Sequence, residues 1–205
     1  MTQKVVLATS NIGKVKEIQA VLANCDIEIL PQSRFNVPEA IEDGLTFVEN
    51  ALIKARHASK LTGLPAIADD SGIEVDFLNG QPGIHSSRYA GENGNNEANN
   101  AKLLNALKGV KKEQRTARFQ CVIVYLKHAL DPTPMICQAA WEGYITETAA
   151  GTQGFGYDPI FFVTAKNCTS AELAPAVKNK ISHRGQALSA FVDGFSRLNK
   201  QKTQH

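Results

Sequence analysis

Two adjacent carboxylates at the end of an apolar run are the residues of this chain whose chemistry most needs a reason. Asp69 and Asp70 follow Ala66-Ile67-Ala68 and precede Ser71 and Gly72. Like charges held that close are costly unless a cation neutralises them. Hard oxygen donors suit Mg²⁺, which takes one or two carboxylates and keeps waters and phosphate oxygens as its other ligands. The same Asp-Asp-Ser-Gly string is also good turn chemistry. A third carboxylate, Glu42, stands beside Asp43 in a stretch that by itself reads as an exposed acidic loop. Thr9-Ser10-Asn11-Ile12-Gly13-Lys14 is a polar loop entering a helix. Such a loop offers free N–H groups and the positive end of the helix dipole to phosphate, with Lys14 adding a point charge. It is not a Walker A sequence, and alone it is also an ordinary strand-to-helix turn. Two late clusters complete the set. In Phe155-Gly156-Tyr157-Asp158 a Gly-flanked aromatic can stack on a base or simply pack in its loop. Ser182-His183-Arg184-Gly185 reads as a capped helix start, yet Arg184 in a first helical turn opposes the dipole and asks for another role, such as donating to keto oxygens or phosphate.

The elements that must carry these clusters alternate early and group later. Val5-Val6-Leu7-Ala8 is a continuous apolar run, the pattern of a strand buried on both faces. A helix with Val15, Ile18, Val21 and Leu22 on one stripe follows the polar loop. Thr46 with Glu49 three residues on forms a capping box for a second helix, whose buried stripe is Phe47, Val48, Ala51, Leu52 and Ala55. Asn50, Lys54 and His57 share a different face of it, and Gly63 with Pro65 ends it. The spacing then predicts a short strand over 66–68, a turn at 69–72 and a half-buried strand over 73–77. Residues 79–100 read as a long loop, of a length that often carries function, followed by a helix over 98–107 with Ala101, Leu104 and Leu107 on one side. Strands are expected over 119–126, 135–141 and 160–163, with a second loop at 151–159. A last helix over 182–198 precedes a frayed tail from Asn199. The order argues for one α/β domain, residues 1–205, around a mixed sheet.

Bulk composition excludes more than it selects. The chain has 205 residues, 43% hydrophobic and 20% charged, which is ordinary globular usage. A formal charge of +2 is too small to serve as a footprint for duplex nucleic acid, so an anionic ligand must be held by local lysines. Cys25, Cys121, Cys137 and Cys168 are scattered without zinc-site spacing. Cys121 lies in an apolar run and reads as buried. No disulfide framework is suggested, and no stretch has leader or membrane-span length. The expectation is a cytoplasmic protein that binds neither membrane nor nucleic acid.

Taken together and in order, the four motifs resemble the non-canonical purine NTP pyrophosphatase family, the inosine/xanthosine triphosphate pyrophosphatases. The resemblance runs from Lys4 to about Leu198 and takes in Gly44-Leu45-Thr46-Phe47, Glu49-Asn50-Ala51 and Lys54-Ala55. Position 10 is Ser where many members carry Gly. The resemblance implies an elongated mixed sheet flanked by helices, with two lobes and an active site in the cleft between them. It implies a homodimer, Mg²⁺ as cofactor, and ITP, dITP and XTP as substrates, cleaved at the α-phosphorus to monophosphate and pyrophosphate. Thr9, Ser10, Asn11, Ile12, Gly13 and Lys14 would contact the triphosphate, and Lys54 would add a second positive charge. Glu42 and Asp70 would hold the metal, with Asp69 a further ligand or an electrostatic partner. Asp70 would also accept the proton of the attacking water. Ser71, Phe155, Gly156, Tyr157, Asp158, Lys178, His183 and Arg184 would complete the substrate site. Phe155 would stack on the ring, and donors from Arg184 or His183 would face the C6 keto oxygen, leaving adenine unpaired. Three rivals are a pyrophosphatase for other modified nucleotides, a nucleotide sensor without turnover, and a nucleic-acid-binding module.

Overall fold

The apolar run at the start does form a strand buried on both faces, with Val5, Val6, Leu7 and Ala8 almost wholly removed from solvent. The computed structural model describes residues 2–22 and 27–202, so Cys25 lies outside the described residues. Strand β1 (Gln3–Leu7) leads into helix α1 (Ile12–Leu22), strand β2 (Ile27–Pro31), helix α2 (Phe47–Thr62) and strand β3 (Ala66–Val75). Helix α3 (Asn96–Ala106), strands β4 (Thr116–Leu126), β5 (Met135–Ile145), β6 (Phe161–Val163) and β7 (Cys168–Thr169), and helices α4 (Pro175–Ile181) and α5 (His183–Lys202) follow. The strands form one mixed sheet ordered β2-β1-β3-β4-β5-β6-β7. β1 pairs in parallel with β2 and β3, whereas β6 is antiparallel to both β5 and β7.

The chain divides into two compact units. One comprises Met1–Asp70, Val122–Gln138 and Ala187–His205, the other Ser71–Cys121 and Ala139–Gln186. The first unit buries Ile18 and Leu22 of α1, Ala51, Ala55 and Ala58 of α2, Ile67 of β3 and Phe191 and Phe195 of α5. The second is built around Ile73, Leu103, Leu107, Phe119, Trp141, Ile145, Tyr157 and Phe161.

Several sequence expectations need correction. The turn expected at 69–72 is strand: β3 runs unbroken from Ala66 to Val75. Phe77, expected in a strand, lies in a short 3-10 turn and is half exposed. On α3 the buried positions are Asn99, Leu103 and the C-cap Leu107; Leu104 packs against the same core as expected, whereas Ala101 is exposed. Asn95 caps the helix by accepting from Ala98 N–H, so it begins at Asn96, two residues earlier than expected. Val21 of α1 is exposed. α5 continues to Lys202 instead of fraying from Asn199. β2, β7 and α4 have no counterpart among the elements expected from the sequence. In β2 the buried residues are Ile27 and Leu30, which breaks the period of two, and α4 buries no residue and so writes no apolar stripe.

Candidate active site

In the first unit, the loop after β1 ties itself into a helix start. Thr9 Oγ1 accepts from Asn11 N–H at 3.2 Å, and Asn11 Oδ1 accepts from Lys14 N–H at 3.1 Å. Asn11 is therefore the cap of α1, and Ile12 and Gly13 open the helix. Ser10 Oγ donates to Glu39 Oε1 at 2.7 Å, so its hydroxyl has a partner in the acidic loop.

Within β3 each of the two carboxylates meets a lysine. Lys14 Nζ lies 2.8 Å from Asp69 Oδ2. Lys54 Nζ lies 3.0 Å from Asp70 Oδ1 and 3.0 Å from Glu42 Oε2. Each carboxylate of the Asp-Asp string is thus offset by a lysine ammonium, and Asp70 shares its cation with Glu42. Burial works against the Lys54 ammonium, but Asp70, Asp69 and Glu42 outweigh it and hold its pKa above the ordinary lysine value. Burial pushes the Asp70 carboxyl above the usual carboxylate range, with Lys54 and Lys14 pulling the other way and Glu42 reinforcing burial.

Glu42 is delivered by the polar face of α2 legible in the sequence. Asn50 Oδ1 accepts from Gly44 N–H at 2.9 Å, and His57 Nε2 lies 3.0 Å from Pro38 O. With the Lys54–Glu42 pair, these contacts hold the 38–44 segment against the helix at three successive turns. Thr46 Oγ1 accepts from Glu49 N–H at 3.2 Å, while the Glu49 carboxylate accepts from Leu45 N–H at 2.8 Å, so the capping box is present with its return bond shifted by one residue.

The second unit holds the other cluster. Arg184 Nη2 donates to Ser71 Oγ at 3.1 Å. The Phe155 ring, 41% exposed, has Lys178 Nζ 5.4 Å and the Arg184 guanidinium carbon 5.7 Å from its centroid, within cation–π range. Ser182 Oγ accepts from Gly185 N–H at 3.2 Å, the cap expected from the sequence. His183 is buried and stacked on Phe119, with centroids 4.7 Å apart and planes 12° apart.

Tyr157 and Asp158, both expected at the substrate site, turn their side chains inward. Tyr157 is buried and its hydroxyl donates to Ser86 O at 2.8 Å. Asp158 is buried, and its carboxylate accepts from Phe155 N–H, Ser170 Oγ and Lys178 Nζ. Both hold the loop, while Phe155 presents an open face. Gly156 adopts φ +63, the left-handed conformation that lets the chain turn between them. Glu39, Ser86, Asn100 and Ser170 also touch these clusters and belong to none of the sequence motifs. Their partners are 12 to 71 residues away, so no local pattern could reveal them. Cys121 is buried as expected.

With this geometry in place, residues 5–194 match the model of the Ham1 family. The chain is 61% identical to the dITP/XTP pyrophosphatase of Thioalkalivibrio sulfidiphilus, over 93% of this chain and 97% of the relative. It is 56% identical to the dITP/XTP pyrophosphatase of Vibrio parahaemolyticus, over 98% and 100%. A solved HAM1 protein from Coxiella burnetii superposes with a TM-score of 0.90 at 48% identity, covering 97% of this chain and 99% of that one.

Proposed function

Because the chain belongs to the Ham1 family, we propose that it hydrolyses ITP, dITP and XTP to the monophosphate and pyrophosphate, clearing damaged purines from the nucleotide pool. The observation that carries the reading is the cluster in which two ammonium groups, Lys14 and Lys54, face three carboxylates, Asp69, Asp70 and Glu42. That set retains a formal negative charge, so a polyphosphate gains from it only with an added cation.

Glu42 and Asp70 fit Mg²⁺: both already turn an oxygen toward one positive group, Lys54 Nζ, and both are hard donors. Asp69 is better placed to hold Lys14 than to bind the metal. When bound, Mg²⁺ would neutralise charge on the phosphate oxygens. The chain's own residues do the rest. The N–H groups at the start of α1 and the Lys14 ammonium bind the triphosphate, and Lys54 steadies the carboxylates. Asp70 takes a proton from the attacking water at its carboxylate oxygen. In the second unit, Phe155 stacks on the purine, and Arg184, Lys178 and His183 supply donors that a C6 keto group accepts and an adenine amino group does not.

The test mixes purified protein with inosine, xanthosine, adenosine and guanosine triphosphates, with and without Mg²⁺, and counts pyrophosphate and orthophosphate separately. Pyrophosphate from the first two, dependent on Mg²⁺, is expected. Orthophosphate as the product, or nucleotide binding without product, would remove the reading. The protein acts in the cytoplasm as a homodimer on this reading, and sedimentation at micromolar concentration should return twice the mass of one chain.

A further inference from the structure

The loop that presents Phe155 is tied by backbone bonds at Gln153, whose N–H donates to Ala171 O at 2.9 Å, and at Asp158, whose N–H donates to Phe155 O at 3.3 Å. Gly154 and Gly156, on either side of Phe155, adopt φ +79 and +63. Glycines in left-handed conformations gain a great deal of freedom when a loop is released, so such a loop keeps one shape only if other groups hold it. Two of the side chains that hold it belong to none of the motifs. Ser170, 0% exposed, donates from Oγ to Asp158 Oδ1 at 2.7 Å. The other oxygen of that carboxylate accepts from Phe155 N–H at 2.8 Å and from the Lys178 ammonium. Asn100 of α3 donates from Nδ2 to Gly156 O at 3.0 Å. The backbone groups engaged, Phe155 N–H and Gly156 C=O, lie just before and just after the Phe155 side chain. They set the direction in which its ring points.

We infer that Ser170 and Asn100 are positioning residues for purine recognition: Ser170 fixes the Asp158 carboxylate that holds Phe155 and Lys178 in place, and Asn100 pins the loop from the other side. The inference rests on the reading of Phe155 as the stacking group. It deepens that reading by naming what keeps the stacking face ready before the base arrives. Without the Ser170 hydroxyl, one oxygen of a buried carboxylate loses its donor and the carboxylate is free to turn. Without Asn100, Gly156 O loses its partner and the left-handed turn relaxes.

The test is a double-mutant cycle on the full-length enzyme with Mg²⁺ and inosine triphosphate. Inorganic tripolyphosphate serves as a competitor that has a triphosphate but no base. Ser170→Ala and Asn100→Ala should each raise KM about fivefold, the loss of one ordinary hydrogen bond. Each should leave kcat within about twofold and inhibition by tripolyphosphate unchanged. In a Phe155→Ala background, neither substitution should raise KM further. Unchanged KM in both single variants, while Phe155→Ala alone raises it, overturns the inference and leaves the stacking reading intact. The inference also fails if the effects add fully to that of Phe155→Ala, or if tripolyphosphate inhibition weakens, because either result marks a general structural loss. Unchanged KM in Phe155→Ala itself removes the stacking reading and this inference with it. Asn100 lies on a partly exposed helix surface, so its truncation keeps the question open to measurement even if Ser170→Ala is unstable.

Discussion

At the scale of single residues, the cluster turns on how β3 divides its two carboxylates. Asp69 is committed to Lys14, whereas Asp70 shares Lys54 with Glu42, so Asp70 is the carboxylate with company suited to a cation and a water. Asp70→Asn keeps the shape and the contact with Lys54 but loses proton-accepting power. It is expected to leave nucleotide binding measurable by titration calorimetry while kcat falls at least about 10²-fold. Turnover near that of the unaltered enzyme would take Asp70 out of the reaction. Much of this was legible in the residues themselves. The spacing of Asn50, Lys54 and His57 on α2 sets them on one face apart from the buried stripe, and the loop from Thr9 to Lys14 reads as a helix start. The turn expected around the two carboxylates is instead strand β3, in which each is paired with a lysine. The inward roles of Tyr157 and Asp158 were not legible, since a Gly-flanked Phe-Gly-Tyr-Asp string does not say which side chain is buried. Burial follows from partners such as Ser86 and Ser170, far off in the chain.

At the scale of elements, the capped start of α2 and the acidic loop ahead of it act as one piece. A Cβ placed on Gly44 would sit 2.6 Å from Glu49 Cβ and 2.8 Å from Asn50 Oδ1, so only glycine lets the loop lie this close to the helix. Gly44→Ala must push the loop off the face that delivers Glu42. The expected cost is about 1–3 kcal/mol of stability from the forced shift, and the Mg²⁺ concentration giving half-maximal rate should rise, with preference among purines unchanged. A thermal melt and a Mg²⁺ titration of the rate check both. An unmoved titration would mean that Glu42 does not depend on this packing. Thr46→Ala, which removes only the cap, should cost about 1 kcal/mol and lower Tm by about 2–4 °C for a chain of this length, with a smaller effect on the Mg²⁺ titration. Helices with an apolar stripe and a cap, α1, α2 and α5, were readable. The short exposed α4 and the edge strand β2 were not, because neither writes the period that burial imposes on longer elements.

At the scale of the whole molecule, β4 and β5 each contribute residues to both compact units, so the turn that joins these strands bears on the stability of the entire chain. Asp131 organises it. Its buried carboxylate accepts from Lys127 N–H and Thr133 N–H, both at 2.9 Å, and Arg56 of α2 donates to the carbonyls of Ala129 and Asp131 at 3.4 Å. Burial by itself would raise the Asp131 pKa, but the two N–H bonds and the charges of Lys127 and His128 win and hold it below the ordinary 3.8. A carboxyl depressed on folding contributes stability that is present above its unfolded pKa and lost as pH falls through its folded one. Asn in its place still accepts a hydrogen bond but carries no charge, so it has no such contribution to lose. Asp131→Asn is therefore expected to unfold at lower urea than the unaltered protein near neutral pH. The gap between the two should close as pH is lowered past 3.8 and the native carboxylate takes up its proton. Urea midpoints measured from about pH 6 down to about pH 3 decide it. A gap that stays constant across the range would assign the effect to lost packing in the turn, and a gap that widens in acid would mean that folding raises the Asp131 pKa instead of lowering it.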